Sequence, residues 1–177
     1  MSSLPLAGGI FYQTSNMRKE QISFGYEVYD SAEELTEQDK ALVEQAREVT
    51  AKAYAPYSKF HVGAVALLSN GETVAGTNQE NASYPVGICA ERALLASASM
   101  LQTNVPINSM AISYHNMQGD SSKPISPCGM CRQALREYEQ RTGQPIRILL
   151  TGMQGSVLVI EQAGQLLPFS FGSDDMK

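Results

Sequence analysis

The chain has 177 residues, of which 43% are hydrophobic and 18% are charged, a composition that suits one globular domain. The net charge is -5 and the lysines and arginines are scattered, which argues against a nucleic-acid binder and favours a small uncharged substrate. The apolar runs GAVALL and IRILL are far shorter than the roughly 20 residues that span a bilayer, and MSSLPLAGG lacks the basic flank of a secretory signal, so we predict a cytoplasmic protein without a membrane segment.

The N-terminal stretch is polar, with scattered aromatic side chains. Its segments GIFYQTSN and QISFGYEVYD alternate weakly in polarity, as edge strands do. No residue in this stretch forms a motif with recognisable chemistry. We therefore predict an N-terminal arm of unknown role over residues 1–35 and a single domain over residues 36–177.

A helix and a hairpin follow the arm. The segment SAEELTEQDKALVEQAREVTAKAY carries apolar residues at helical spacing and ends before Pro56, which predicts an amphipathic helix. FHVGAVALLSNGETVAGTNQE predicts two strands joined at Asn70-Gly71, a dipeptide typical of tight hairpins.

Helices and strands alternate in the second half of the chain. CAERALLASASMLQ predicts a helix, INSMAISYHN a strand, and PCGMCRQALREYEQR a helix that ends at Gly143. PIRILLTG and SVLVIEQ predict two more strands. This alternation indicates an α/β domain in which helices pack on a sheet.

The three cysteines are the first candidate functional residues. Cys128 and Cys131 form a Cys-x-x-Cys pair, which by itself fits a redox dithiol, half of a zinc site or two buried residues. Cys89 and this pair fall in the first turns of two predicted helices, where the helix dipoles favour thiolates. Three thiolates around one zinc ion leave a fourth position open, which is typical of a catalytic site.

Glu91 lies two residues after Cys89, in the same first turn. An acidic residue near a helix N-terminus often serves only to complement the helix dipole. Beside a metal ligand, however, a carboxylate can take a proton from a water molecule and pass it to a substrate nitrogen. The position next to Cys89 favours this second interpretation.

These motifs resemble a known enzyme family. Cys89-Ala90-Glu91 and Pro127-Cys128-Gly129-Met130-Cys131 match the zinc deaminase signature. YSKFHVGAVALLSNGETVAGTNQENASYPVGICAER, SPCGMCRQAL and LLPFSF resemble the small homotetrameric cytidine deaminases, over about residues 38–171. The resemblance implies a three-layer α-β-α sandwich with a mixed five-stranded sheet, and one zinc ion per subunit. It also implies deamination of free cytidine and deoxycytidine in pyrimidine salvage.

The resemblance also assigns residues within one subunit. Cys89, Cys128 and Cys131 would bind zinc, and Glu91 would activate the water and protonate ring N3. The residues expected to contact the substrate are the Ala90 backbone and the Ser126 carbonyl at the base, Asn78 and Glu80 at the ribose hydroxyls, and Phe60 beside the pyrimidine. Arg92 resembles an arginine that hydrogen-bonds the thiolates and drains their charge.

Across the subunit boundary, the resemblance implies that Phe171, Ala82 and Tyr84 line the pocket of a neighbouring subunit. Asn78 and Glu80 also fit ordinary loop residues, Phe60 and Phe171 fit core residues, and Arg92 fits a surface arginine.

Three alternative functions stay open at this point. A structural zinc module would use His61 or His115 as a fourth ligand, and a dithiol redox protein would use only Cys128 and Cys131. A deaminase for another aminopyrimidine nucleoside, such as blasticidin S, would also hold zinc with three cysteines.

Overall fold

A six-stranded mixed sheet forms the centre of the fold, in a computed structural model that describes residues 17–177. Its strands are β1 (Glu27–Tyr29), β2 (Phe60–Leu68), β3 (Thr73–Thr77), β4 (Ile107–Asn116), β5 (Arg147–Leu150) and β6 (Val157–Ile160). They lie in the order β1-β6-β5-β4-β2-β3. β4 and β5 are parallel, and the other neighbouring pairs are antiparallel. The predicted segment GIFYQTSN lies outside the described residues.

The expected count of five strands is wrong by one, because β1 adds a sixth. This strand comes from the second weakly alternating segment of the arm and pairs with β6, with Val28 opposite Leu158. Tyr29 packs against the apolar cluster on one face of the sheet. A short segment far away in sequence therefore covers the edge that β6 would otherwise leave open.

One face of the sheet is covered by helix α1 (Glu37–Val49). The helix begins at Thr36, whose Oγ1 accepts a hydrogen bond from the Asp39 backbone N–H at 3.2 Å. Its apolar residues Leu42, Val43 and Ala46 are buried against the sheet. The helix is shorter than the predicted segment, which continues at each end as a short 3-10 turn.

The opposite face carries helices α2 (Ala90–Leu101) and α3 (Gly129–Thr142), so the predicted three-layer architecture is confirmed. Leu94 of α2 and Leu135 of α3 are fully buried in the apolar cluster on this face. The predicted end of α3 is also confirmed, because Gly143 has a left-handed conformation with φ 68°.

The strands predicted around Asn70-Gly71 form the β2-β3 hairpin, and Gly71 has a positive φ of 87°. Gly76 on β3 allows the sheet to approach the start of α2. A Cβ atom at this position would lie 2.4 Å from the Ala90 carbonyl oxygen and 2.5 Å from the Leu94 nitrogen. This close approach fixes the N-terminus of α2 over the sheet. No helix in residues 17–177 is long and apolar enough to cross a membrane.

Candidate metal centre and active-site cavity

The three cysteines meet where α2 and α3 begin. Cys89 and Cys128 are the N-cap residues of the two helices, and Cys131 lies in the first turn of α3. The Sγ atoms of Cys89 and Cys128 are 3.8 Å apart, and those of Cys128 and Cys131 are 3.5 Å apart. All three sulfur atoms lie within 4.8 Å of one another.

This sulfur triangle fits a zinc ion. A tetrahedral ion with Zn–S bonds of about 2.3 Å holds its sulfur ligands about 3.8 Å apart. A hydrogen bond with Cys131 lowers the pKa of Cys89 to about 6, whereas the same contact and burial raise the pKa of Cys131. The three thiols therefore do not all ionise readily by themselves. A bound divalent cation would stabilise all three as thiolates, because its positive charge offsets their negative charges.

The two histidines lie apart from this cluster. His61 on β2 and His115 on β4 are opposite each other in the sheet. The metal-binding group found in residues 17–177 contains the three cysteines and no histidine. The alternative of a closed structural site with three cysteines and one histidine is therefore wrong for the described part of the chain.

Glu91 is buried beside the thiols. It is the second residue of α2, and the residue as a whole is 4% exposed. Burial raises the pKa of Glu91, although hydrogen bonding to its own backbone and to Cys131 opposes the shift. A carboxyl group with a raised pKa exchanges a proton near neutral pH more readily than an exposed one does.

A cavity of about 430 Å³ opens beside the sulfur cluster, within the size range of small-molecule sites. Val62 and Ile112 from the sheet contribute apolar surface to it. Eight of the residues predicted from the sequence line this cavity: Asn78, Glu80, Tyr84, Cys89, Ala90, Glu91, Ser126 and Cys128.

Asn78 and Glu80 form one wall of the cavity and also hold the backbone around it. Asn78 accepts a hydrogen bond from the Val62 N–H at 2.7 Å and donates one to the Phe60 carbonyl at 2.9 Å. Glu80 Oε2 accepts hydrogen bonds from the backbone N–H groups of Tyr57 and Ser58, at 2.9 and 3.2 Å. Hydrogen bonding to Ser58 and Tyr57 lowers the pKa of Glu80, so this wall is negatively charged at neutral pH.

Five other predicted residues are not part of the cavity lining in the described chain: Cys131, Arg92, Phe60, Ala82 and Phe171. The Phe60 ring stacks on Tyr114, with ring centroids 4.7 Å apart and planes at 16°. Ala82 is exposed, and Phe171 is 62% exposed near the C-terminus.

Arg92 is partly buried next to Glu91. Within residues 17–177 we find no hydrogen bond from Arg92 to a thiol, which the family resemblance leads one to expect. Its positive charge contributes to the lowered pKa of Cys89, after the larger effect of hydrogen bonding to Cys131.

Sequence reasoning missed several side chains at the cavity. Tyr57 and Met130 both line it, and both are more than half exposed. Met130 stands between two metal-binding cysteines, so its position in Cys-x-x-Cys was a usable signal. The resemblance assigned no role to Tyr57, whose backbone N–H donates a hydrogen bond to the Glu80 carboxylate at the cavity wall.

Comparisons with known proteins agree with this geometry. The family model described as the cytidine and deoxycytidylate deaminase zinc-binding region matches residues 36–143. A cytidine deaminase from Halalkalibacterium halodurans is 34% identical over 135 residues, which are 76% of this chain and 95% of the relative. A cytidine deaminase from Mycobacterium tuberculosis is 35% identical over 137 residues, covering 74% of this chain and 87% of the relative.

Solved structures give the same result. A crystal structure of cytidine deaminase from Burkholderia pseudomallei has a TM-score of 0.66 and 40% identity, covering 77% of this chain and all of that one. The Mycobacterium tuberculosis enzyme has a TM-score of 0.58 and 30% identity, covering 77% of this chain and 98% of that one.

Proposed function

Because the chain belongs to the cytidine and deoxycytidylate deaminase family, we propose that it hydrolyses free cytidine and deoxycytidine to uridine and deoxyuridine, with release of ammonia, in pyrimidine salvage. Residues 36–177 act as a single catalytic domain in this proposal. The observation that carries it is the position of buried Glu91, which lines the cavity beside the thiols of Cys89 and Cys128. A carboxyl group there reaches both a metal site and a small bound molecule.

The three cysteines hold zinc, which when bound offers an open coordination position and makes a water molecule acidic near neutral pH. Glu91 accepts a proton from the attacking water and delivers it to ring N3 of the base. The Ala90 backbone and the Ser126 carbonyl hold the base and the departing amine. The raised pKa of Glu91, caused by burial, suits a group that carries the proton between these two sites.

Asn78 and Glu80 bind the ribose hydroxyls. Their hydrogen bonds to the backbone of neighbouring segments fix both side chains in place. Each retains further capacity, because an amide has two donor hydrogens and a carboxylate has a second oxygen. The protein therefore offers the sugar a rigid wall with both donors and acceptors.

The charge of the cavity favours a nucleoside over a nucleotide. Within the described chain, its lining includes Glu80 and Glu91 but no lysine, arginine or histidine. A substrate phosphate would meet this carboxylate wall without a cation to neutralise it, at a cost in binding free energy. Deoxycytidylate, the other substrate named in the family description, is therefore a poor fit.

We also propose a cytoplasmic homotetramer in which subunits share their sites. Large apolar side chains near the cavity are exposed in the single chain: Tyr57 is 51% exposed, Tyr84 77% and Val86 65%. The Tyr57 and Tyr84 ring centroids lie 6.2 Å apart, and grouped exposed apolar side chains of this kind are typical of an interface. Ala82 and Phe171 of one subunit then complete the pocket of another, together with Tyr84, which also lines the cavity of its own chain. A reducing compartment keeps the three thiols available for zinc.

The test is a substrate panel on the purified protein. Zinc per chain is measured, and ammonia release is followed with cytidine, deoxycytidine, deoxycytidylate, adenosine and blasticidin S. We expect about one zinc per chain and turnover of the first two compounds. Faster turnover of deoxycytidylate or blasticidin S would overturn the substrate assignment, and a zinc-loaded protein that releases no ammonia would overturn the enzymatic function.

A further inference from the structure

We propose that Arg132 is a positioning residue that holds the segment 124–127, which leads into Cys128, and ties it to the C-terminal turn Ala163–Leu166. The inference builds on the proposed function, because Ser126 and Cys128 line the cavity assigned to the substrate. Arg132 itself does not line that cavity, so it acts through these two residues.

The guanidinium group of Arg132 makes three hydrogen bonds of 2.9 Å. Nε donates to the Pro127 carbonyl and Nη2 donates to Ser126 Oγ. Nη1 donates to the carbonyl of Leu166, which lies 34 positions further along the chain. Each of the three nitrogens is used, and the planar guanidinium places the three acceptors in a defined arrangement that a lysine ammonium cannot reproduce.

Arg132 is the main polar restraint on the segment it holds. Residues 124–127 belong to neither a helix nor a strand, and Pro124 and Pro127 have no backbone N–H to donate. Among the hydrogen bonds of residues 17–177, those from Arg132 are the ones that tie this segment to other parts of the fold. Ile125 adds apolar packing against the core. The position of Ser126 and the start of α3 therefore depends on the guanidinium.

The same turn of α3 also holds the C-terminal segment. Gln133, the next residue, donates from Nε2 to the Phe171 carbonyl at 2.9 Å. Arg132 thus contacts Leu166, and Gln133 contacts Phe171. Arg132 also contacts Ser126 in the segment 124–127. Movement of Arg132 would disturb both segments together.

A substitution of Arg132 should therefore affect chemistry more than sugar binding. A displacement of about 1 Å at a reacting group costs up to about 100-fold in rate, and Ser126 is assigned to the reacting end of the base. Asn78 and Glu80 are held by residues 57–62, which Arg132 does not touch. We expect kcat/KM for cytidine to fall about 10- to 100-fold, with kcat falling more than KM rises.

The experiment compares Arg132→Lys and Arg132→Met with a matched control, Arg136→Met. Arg136 is one turn further along α3, and within residues 17–177 it has no hydrogen bond or ion pair. Zinc content, steady-state kinetics and amide hydrogen exchange are measured for each protein. We expect the Arg132 variants to keep zinc, to lose kcat/KM as above and to exchange faster in two segments only, residues 119–131 and 163–172.

Three results would overturn the proposal. The first is Arg132→Lys matching Arg136→Met in exchange and in kcat/KM. The second is faster amide hydrogen exchange over the whole chain of the Arg132 variants, which indicates a general structural role. The third is faster exchange confined to residues 119–131 and 163–172 with kcat unchanged. If Arg132→Met does not fold, Arg132→Lys, which keeps the charge and most of the stem, decides the outcome. Failure of the proposed function is distinguishable, because wild-type protein would then not turn over cytidine.

Discussion

Replacing Glu91 with glutamine removes the proposed proton carrier and changes little else. The residue is 4% exposed, and glutamine has almost the same shape without the ionisable proton. One positioned acid or base contributes about 10²- to 10⁴-fold in rate. Glu91 serves two transfers, from the water and to ring N3, so we expect a loss of at least about 10⁴-fold in kcat.

The variant should otherwise resemble the wild type. An isosteric exchange that costs about 1 kcal/mol or less shifts the Tm of a domain this size by no more than about 4 °C. Zinc should stay bound, since the three sulfur ligands are intact.

The assay follows ammonia release from cytidine, with zinc per chain and Tm measured on the same samples. Glu48→Gln, at an exposed position on α1, is the matched control and should turn over cytidine at the wild-type rate. A Glu91→Gln protein that binds zinc and deaminates near the wild-type rate would refute the mechanism. Loss of zinc would instead identify Glu91 as a metal ligand.

Three further predictions test the scaffold, the assembly and a buried acid. Gly76→Ala places a Cβ atom 2.4 Å from the Ala90 carbonyl oxygen, so it should displace the start of α2. We expect a loss of about 1–3 kcal/mol in the free energy of unfolding, measured in urea, and weaker zinc binding in a chelator titration. Hybrids of Phe171→Ala and Glu91→Gln chains, isolated through two different tags, should turn over more cytidine per intact Glu91 than the Phe171→Ala parent does. Turnover no higher than that of this parent would contradict shared sites. Burial raises the pKa of Glu139, so this residue stabilises the folded protein most at low pH, and that contribution is lost as pH rises from the ordinary value of 4.5 through the folded pKa. In urea titrations over that window, the unfolding free energy of Glu139→Gln should therefore depend less on pH than that of the wild type. Parallel curves for the two proteins would contradict this prediction.

The candidate site was predictable from the sequence to the extent that its chemistry is local. Cys89 and Glu91 are two residues apart, and Cys128 and Cys131 are three apart, so each pair belongs to one helical turn whatever the rest of the fold does. That spacing indicated thiolates beside a carboxyl group. It left a fourth ligand from a histidine open, because His61 and His115 are far away in sequence and only the sheet register shows where they lie.

The aromatic residues show the limit of local reasoning. The resemblance placed Phe60 beside the pyrimidine, and only the structure shows that its ring stacks on Tyr114 from the neighbouring strand, 54 positions away. Tyr57, to which the resemblance assigned no role, lines the cavity, and Glu80 accepts a hydrogen bond from its backbone. Both placements depend on which segments come together, and side-chain type alone does not contain that information.

The sequence by itself determined the helices, the strands and the turns between them, because hydrophobic period, N-caps and glycine conformations act over a few residues. Gly71 and Gly143 occupy left-handed positions where the pattern predicted a turn and a helix end. Only the tertiary structure decided the pairing of β1 with β6, the distances between the three sulfur atoms and the bonds of Arg132 to Ser126 and Leu166. These contacts join segments tens of residues apart, and their free energy comes from packing the whole domain, so no local pattern specifies them.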